Sequence, residues 1–89
     1  MQITVEISLY PLQSSYGETV LDFIGVLKSH ADLTIRTNHM STQVTGHIDA
    51  VMTAIQSAIK EVFSQEQKSA LVFKVFSEKL DLDWIDLSE

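Results

Sequence analysis

Six segments with two kinds of hydrophobic period, in the order strand, helix, strand, strand, helix, strand, place this 89-residue chain in the α+β class. Three observations carry that reading. Residues 2–9 alternate strictly between apolar and polar, residues 48–63 repeat apolar side chains at helical spacing, and two β-branched segments meet across a polar tip at residues 37–42. Two right-handed β-α-β crossovers sharing that central hairpin give a four-stranded antiparallel sheet with both helices on one face, the ferredoxin-like arrangement.

In residues 2–9, Ile3, Val5, Ile7 and Leu9 form one face, and Gln2, Thr4, Glu6 and Ser8 the other. The odd residues are expected against the helices and the even ones on an open sheet face. Tyr10-Pro11-Leu12 should end the strand, because Pro cannot donate to a ladder, and residues 13–17 read as a turn-rich loop. From Thr19, a plausible N-cap, Val20, Phe23, Ile24, Leu27 and Ala31 recur on one helical stripe to about His30.

Thr34, Ile35 and Thr37 favour extended chain, as do Thr42, Val44 and Thr45, while Asn38 and His39 tolerate turn backbone between them. Gly46 then releases the chain into the second helix. There Ile48, Val51, Met52, Ile55, Ile59, Val62 and Phe63 fall at i, i+3, i+4, i+7, i+11, i+14 and i+15. A polar loop over residues 64–68 leads to a last strand over residues 69–77, carrying Leu71, Val72, Phe73, Val75 and Phe76. The domain is thus expected to span residues 1–77, with residues 78–89 as an acidic tail whose Leu80, Leu82, Trp84, Ile85 and Leu87 suit docking on the domain or on a second copy.

The totals narrow the function classes. With no cysteine there is no disulfide framework, thiolate metal site or thiol nucleophile. A formal charge of −6 with six scattered Lys and Arg argues against nucleic acid, and residues 78–89 hold most of the excess, with five carboxylates against Lys79. The start of the chain lacks the pattern of a signal peptide, and no apolar run approaches the ~20 residues of a membrane span, so a cytoplasmic protein without membrane contact is the expectation.

Catalysis has no positive signal: there is no Gly-rich phosphate loop or nucleophile elbow, and no converging carboxylates. His30, His39 and His47 lack close ligand spacing, so neither a metal site nor a cofactor is expected. Glu6, on a central strand, can meet a ligand cation or pair across the open face with Lys74 or Arg36. Asn38, Ser41 and Thr42 can present amide and hydroxyl groups to a small ligand, or satisfy the turn's own backbone. Tyr10 and Tyr16 can stack on a flat heterocycle, or pack within the loop. Val72 and Phe76 beside Lys74 add apolar area to the open face, which suggests self-association as a homodimer or higher homo-oligomer.

Ile7-Ser8-Leu9-Tyr10-Pro11-Leu12 at the end of the first strand, Thr37-Asn38-His39-Met40-Ser41-Thr42 at the hairpin, and Gly46 with Val51 at the second helix resemble the YkoF-like thiamine- and hydroxymethylpyrimidine-binding domains over residues 3–77. The resemblance implies a ferredoxin-like fold that binds thiamine or its pyrimidine moiety without converting it, in uptake or salvage of the vitamin. Some members of that family carry two such domains in tandem, so a homodimer could replace the covalent pair. The departures are His39, where a smaller residue or Pro is expected, and the acidic tail, which lies outside the similarity. Motif position and chemistry together nominate Tyr10, Tyr16, Asn38, Met40, Ser41 and Thr42 as ligand-binding residues. The alternative is an oligomeric protein-interaction module that uses the open sheet face or the C-terminal tail.

Overall fold

The sheet is built on β1 (Gln2–Pro11), which pairs antiparallel with β3 (Thr42–His47) on one side and β4 (Ser69–Phe76) on the other. With β2 (Thr34–Thr37) on the outer edge of β3, the strand order is β2-β3-β1-β4, and α1 (Tyr16–Lys28) and α2 (Ile48–Phe63) pack on one face. This is the ferredoxin-like α+β fold expected from the hydrophobic periods. The computed structural model describes residues 1–12, 16–65, 68–83 and 87, the side chains of residues 16–18 excepted. Among the described residues no helix is long and apolar enough to cross a membrane.

Strand parity sets the core. Ile3, Val5 and Ile7 of β1 and Val44 of β3 are buried against Phe23 and Leu27 of α1 and against Val51, Ala54, Ile55, Ala58 and Val62 of α2. These side chains of period 2 and period 3.6 close one apolar layer between sheet and helices. α2 begins where the hairpin releases it: His47 has extended backbone, and its Nδ1 accepts from the Asp49 amide at 3.3 Å as N-cap. At its own start Gly46 lies so close to Leu33 that a Cβ there would come within 2.9 Å of Leu33 Cδ2.

The first strand and first helix differ from expectation. β1 continues through Pro11, which pairs in register with Ser69. The next amide, Leu12 N–H, donates to Lys68 O at 2.9 Å. Ladder bonds alternate along an antiparallel pair, so the Pro11 nitrogen faces away from β4, to the side where β3 has already stopped and no ladder bond is lost. α1 starts at Tyr16, so Tyr16 and Gly17 belong to its first turn rather than to a loop. Thr19 lies inside the helix and is buried there, not at its cap, because packing outweighs the hydroxyl's preference for a terminus. The helix closes earlier than His30: Ser29 Oγ donates to Val26 O at 2.6 Å, and His30 Nδ1 lies 3.1 Å from the same oxygen.

The open sheet face is only partly open. Leu80 N–H donates to Thr4 Oγ1 at 2.8 Å, Thr4 Oγ1 lies 3.0 Å from Glu78 O, and Arg36 meets Asp83 at 3.3 Å. Residues 78–83 therefore cross the sheet from β4 towards β2, and Thr4 and Thr45, outward by parity, are buried beneath them. Trp84, Ile85 and Asp86 lie outside the described residues, and Leu87 is exposed.

Candidate functional site

Unequal strand lengths create the cavity. The β1–β3 ladder ends at Ile7↔Thr42, whereas β1 and β4 stay paired to Pro11↔Ser69. Residues 8–11 of β1 therefore have a neighbour on one side only. The space on the other side, beneath α1 and beside the hairpin tip, is a cavity of about 530 Å3. A volume of that order accommodates one small organic molecule.

Three walls enclose it. Ile7 to Pro11 of β1 form one, Val20, Leu21, Phe23 and Ile24 of α1 the second, and Thr37 to Thr42 of the hairpin the third. Large apolar side chains stand exposed around the mouth: Tyr10 is 54% exposed, Leu21 69% and Met40 85%. An apolar rim on an apolar cavity favours an occupant that removes both from water.

The polar groups sort by depth. At the base of the hairpin Thr37 Oγ1 and Thr42 Oγ1 lie 2.8 Å apart, Thr42 being buried. One hydroxyl hydrogen serves that bond, and the second can serve another acceptor. At the tip Asn38 Oδ1 accepts from the Met40 and Ser41 amides at 2.7 and 3.1 Å, and Asn38 N–H donates to Ser41 O at 3.1 Å. The carboxamide oxygen of Asn38 thus holds the turn, leaving its amino group for other partners.

Ser41 joins the cavity to the opposite sheet face. Its hydroxyl donates to Glu6 Oε2 at 2.9 Å and accepts from Gln43 Nε2 at 2.7 Å. Glu6 in turn meets Lys74 Nζ at 3.0 Å, the cross-strand pairing that their register permits. Hydrogen bonds from Lys74 and from Ser41 hold the Glu6 carboxyl below its ordinary value of 4.5. The network braces the hairpin tip from behind.

Five of the six candidate residues, Tyr10, Asn38, Met40, Ser41 and Thr42, therefore line one cavity. Tyr16 starts α1, and its side chain lies outside the described residues. The α1 wall was not anticipated from the sequence. Its signal is Leu21, an additional apolar residue beside the Val20, Phe23, Ile24 stripe that widens the apolar face towards the hairpin. Among the described residues, no three His, Asp or Glu side chains converge as a metal site would require.

Solved structures with this fold include a hypothetical protein of Methanocaldococcus jannascii, 27% identical, with a TM-score of 0.77 over 94% of this chain and 88% of that one. A Thermotoga maritima protein with a provisional thiamine biosynthesis/salvage role is 15% identical, with a TM-score of 0.77 over 88% and 85% of the two chains. A Bacillus cereus domain of unknown function is 18% identical, with a TM-score of 0.73 over 93% and 85%. No curated protein matches the chain. The sequence itself matches the family described as thiamine-binding protein over residues 5–79, a span that takes in β1 from Val5 onward, the other five elements and every described wall of the cavity, and the chain belongs to that family.

Proposed function

We propose that this protein binds thiamine or its hydroxymethylpyrimidine moiety in the cavity at the end of β1, without converting it, as a cytoplasmic step in uptake or salvage of the vitamin. Family membership gives a thiamine-related role and a small molecule as ligand. The observation that carries the finer reading is the convergence of the exposed Tyr10, Leu21 and Met40 on a cavity whose polar side chains are hydroxyls, the Asn38 amide and the His39 imidazole, with no carboxylate, Lys or Arg. An aminopyrimidine is planar and carries ring acceptors and an amino donor. The Thr37–Thr42 hydroxyl pair and the Asn38 amino group can meet its edge while Tyr10 covers its face.

The test is calorimetry on the whole chain with thiamine and hydroxymethylpyrimidine, followed by Tyr10→Ala and Thr42→Val. Ligand at 100 times its dissociation constant stabilises the fold by ~2.7 kcal/mol, and each kcal/mol raises the melting midpoint of a domain this size by roughly 4 to 8 °C. Each substitution is expected to weaken binding by about tenfold, the equivalent of one lost hydrogen bond or stacking contact. Unchanged affinity in both variants removes the cavity from the reading, and consumption of either compound removes its non-enzymatic part.

A second reading, homodimerisation, has its own observation. β4 is an edge strand of eight residues with Val72, Phe73, Val75 and Phe76 exposed on its two faces. Such an edge is a template for pairing with a second copy. Sedimentation of the wild type as a dimer, and of Val75→Lys as a monomer, is the expected outcome.

A further inference from the structure

The cavity's electrostatics separate the free heterocycle from its phosphate esters. The chain has six Lys and Arg residues, at positions 28, 36, 60, 68, 74 and 79, and none of them lines the cavity. Two are committed on the other sheet face, Lys74 to Glu6 at 3.0 Å and Arg36 to Asp83 at 3.3 Å. Lys68, the cation nearest in sequence to the strand ends, precedes β4 on the far side of β1 from the hairpin wall. Residues 13–18, which run into the first turn of α1, contribute no cation by their sequence and one carboxylate, Glu18. His39 is the one lining residue able to acquire positive charge.

One kind of backbone substitute is missing among the described residues. Anion-binding concavities combine successive N–H groups with left-handed conformation, and no residue here has positive φ. A phosphate at this mouth would sit against Leu21 and Met40, shedding water without a guanidinium or ammonium in return. The net charge of −6 adds a repulsive field.

Building on the thiamine reading above, we infer that the site is selective for the unphosphorylated compound: it takes thiamine or hydroxymethylpyrimidine and turns away thiamine monophosphate, thiamine diphosphate and hydroxymethylpyrimidine phosphate. A protein with that selectivity belongs before the kinase steps that trap the vitamin, or after the phosphatase steps that release it.

The experiment is calorimetry on the whole chain at pH 8, where an imidazole is uncharged, with all five compounds. The phosphate esters are expected to bind about tenfold or more weakly than their parents, with the diphosphate weakest. A cation installed at the rim by Leu21→Arg should narrow the ratio between thiamine and thiamine monophosphate, whatever it does to either affinity alone. Esters binding as tightly as their parents overturn the selectivity and leave the thiamine reading standing. An unchanged ratio in Leu21→Arg also overturns it, since charge at the mouth would then not govern the choice. If none of the five binds, both the selectivity and the thiamine reading fall.

Discussion

The two ends of β1 are built from the same alternating pattern and have opposite characters. At the amino-terminal end Val5 is buried between β3 and β4, Ile3 is buried beside β3, and a Cβ on nearby Gly46 would come within 2.9 Å of Leu33 Cδ2. At the carboxy-terminal end Leu9, on the same face, is only half-buried, because β3 has stopped opposite Ile7 and only β4 continues. A strand flanked on both sides closes a core, and the same strand flanked on one side lines a cavity. Apolar periodicity therefore marks where a side chain points, while the length of its neighbours determines whether it meets protein or ligand.

The largest expected effect tests this contrast directly. Ile3→Ala should cost about 2 to 5 kcal/mol in urea unfolding, the range for a fully enclosed aliphatic side chain. Leu9→Ala, on the same face of the same strand, should cost about 1 kcal/mol, because it buries less area. Equal losses would show that the carboxy-terminal end is packed as tightly as the other.

The glycines sharpen the comparison with opposite signs. Gly46→Ala should destabilise by about 1 to 3 kcal/mol, since the new Cβ would press on Leu33 Cδ2 at 2.9 Å and Asp32 O at 3.3 Å. Gly25→Ala, in mid-α1 with nothing within 4 Å of the added carbon, should stabilise by about 0.5 to 1 kcal/mol through helix propensity. Thermal melts of the two variants moving in the same direction would contradict the difference in local packing.

The smallest effect lies midway along the strand. Hydrogen bonds from Lys74 and Ser41 lower the folded pKa of Glu6, so its contribution to stability is present above the unfolded value of about 4.5 and is lost as pH falls through the lower folded value. The pair is partly exposed, and solvent screening limits the contribution to a few tenths of a kcal/mol. Glu6→Gln should therefore flatten the stability profile slightly below pH 4.5 and leave it unchanged in shape above. A Glu6→Gln profile identical to wild type in acid would show that the bridge to Ser41 and Lys74 contributes nothing.

Much of the fold was legible because its signals are local. The alternation of Ile3, Val5 and Ile7 marks a half-buried strand, and the stripe through Val51, Ile55 and Val62 marks α2. The hairpin tip was legible in the same way, since Asn38 is a residue that bonds its own turn. The start of α1 was not: Thr19 carries the chemistry of a cap, and only its burial in the folded protein shows that it lies inside the helix. The burial of Thr4 and Thr45 was equally hidden, because it depends on residues 78–83 crossing a face that strand parity leaves open.

By itself the sequence determined the six elements, their parity and order, the absence of cysteine chemistry, and the scatter of the six cations, all properties of a residue type or of spacing along the chain. Tertiary structure decided that β3 ends opposite Ile7 while β4 runs on to Pro11, that α1 supplies a wall that includes Leu21, and that Tyr10, Met40 and Thr42 therefore line one space. Those outcomes depend on register between strands distant in sequence, which many local patterns permit and which the joint packing of sheet and helices selects.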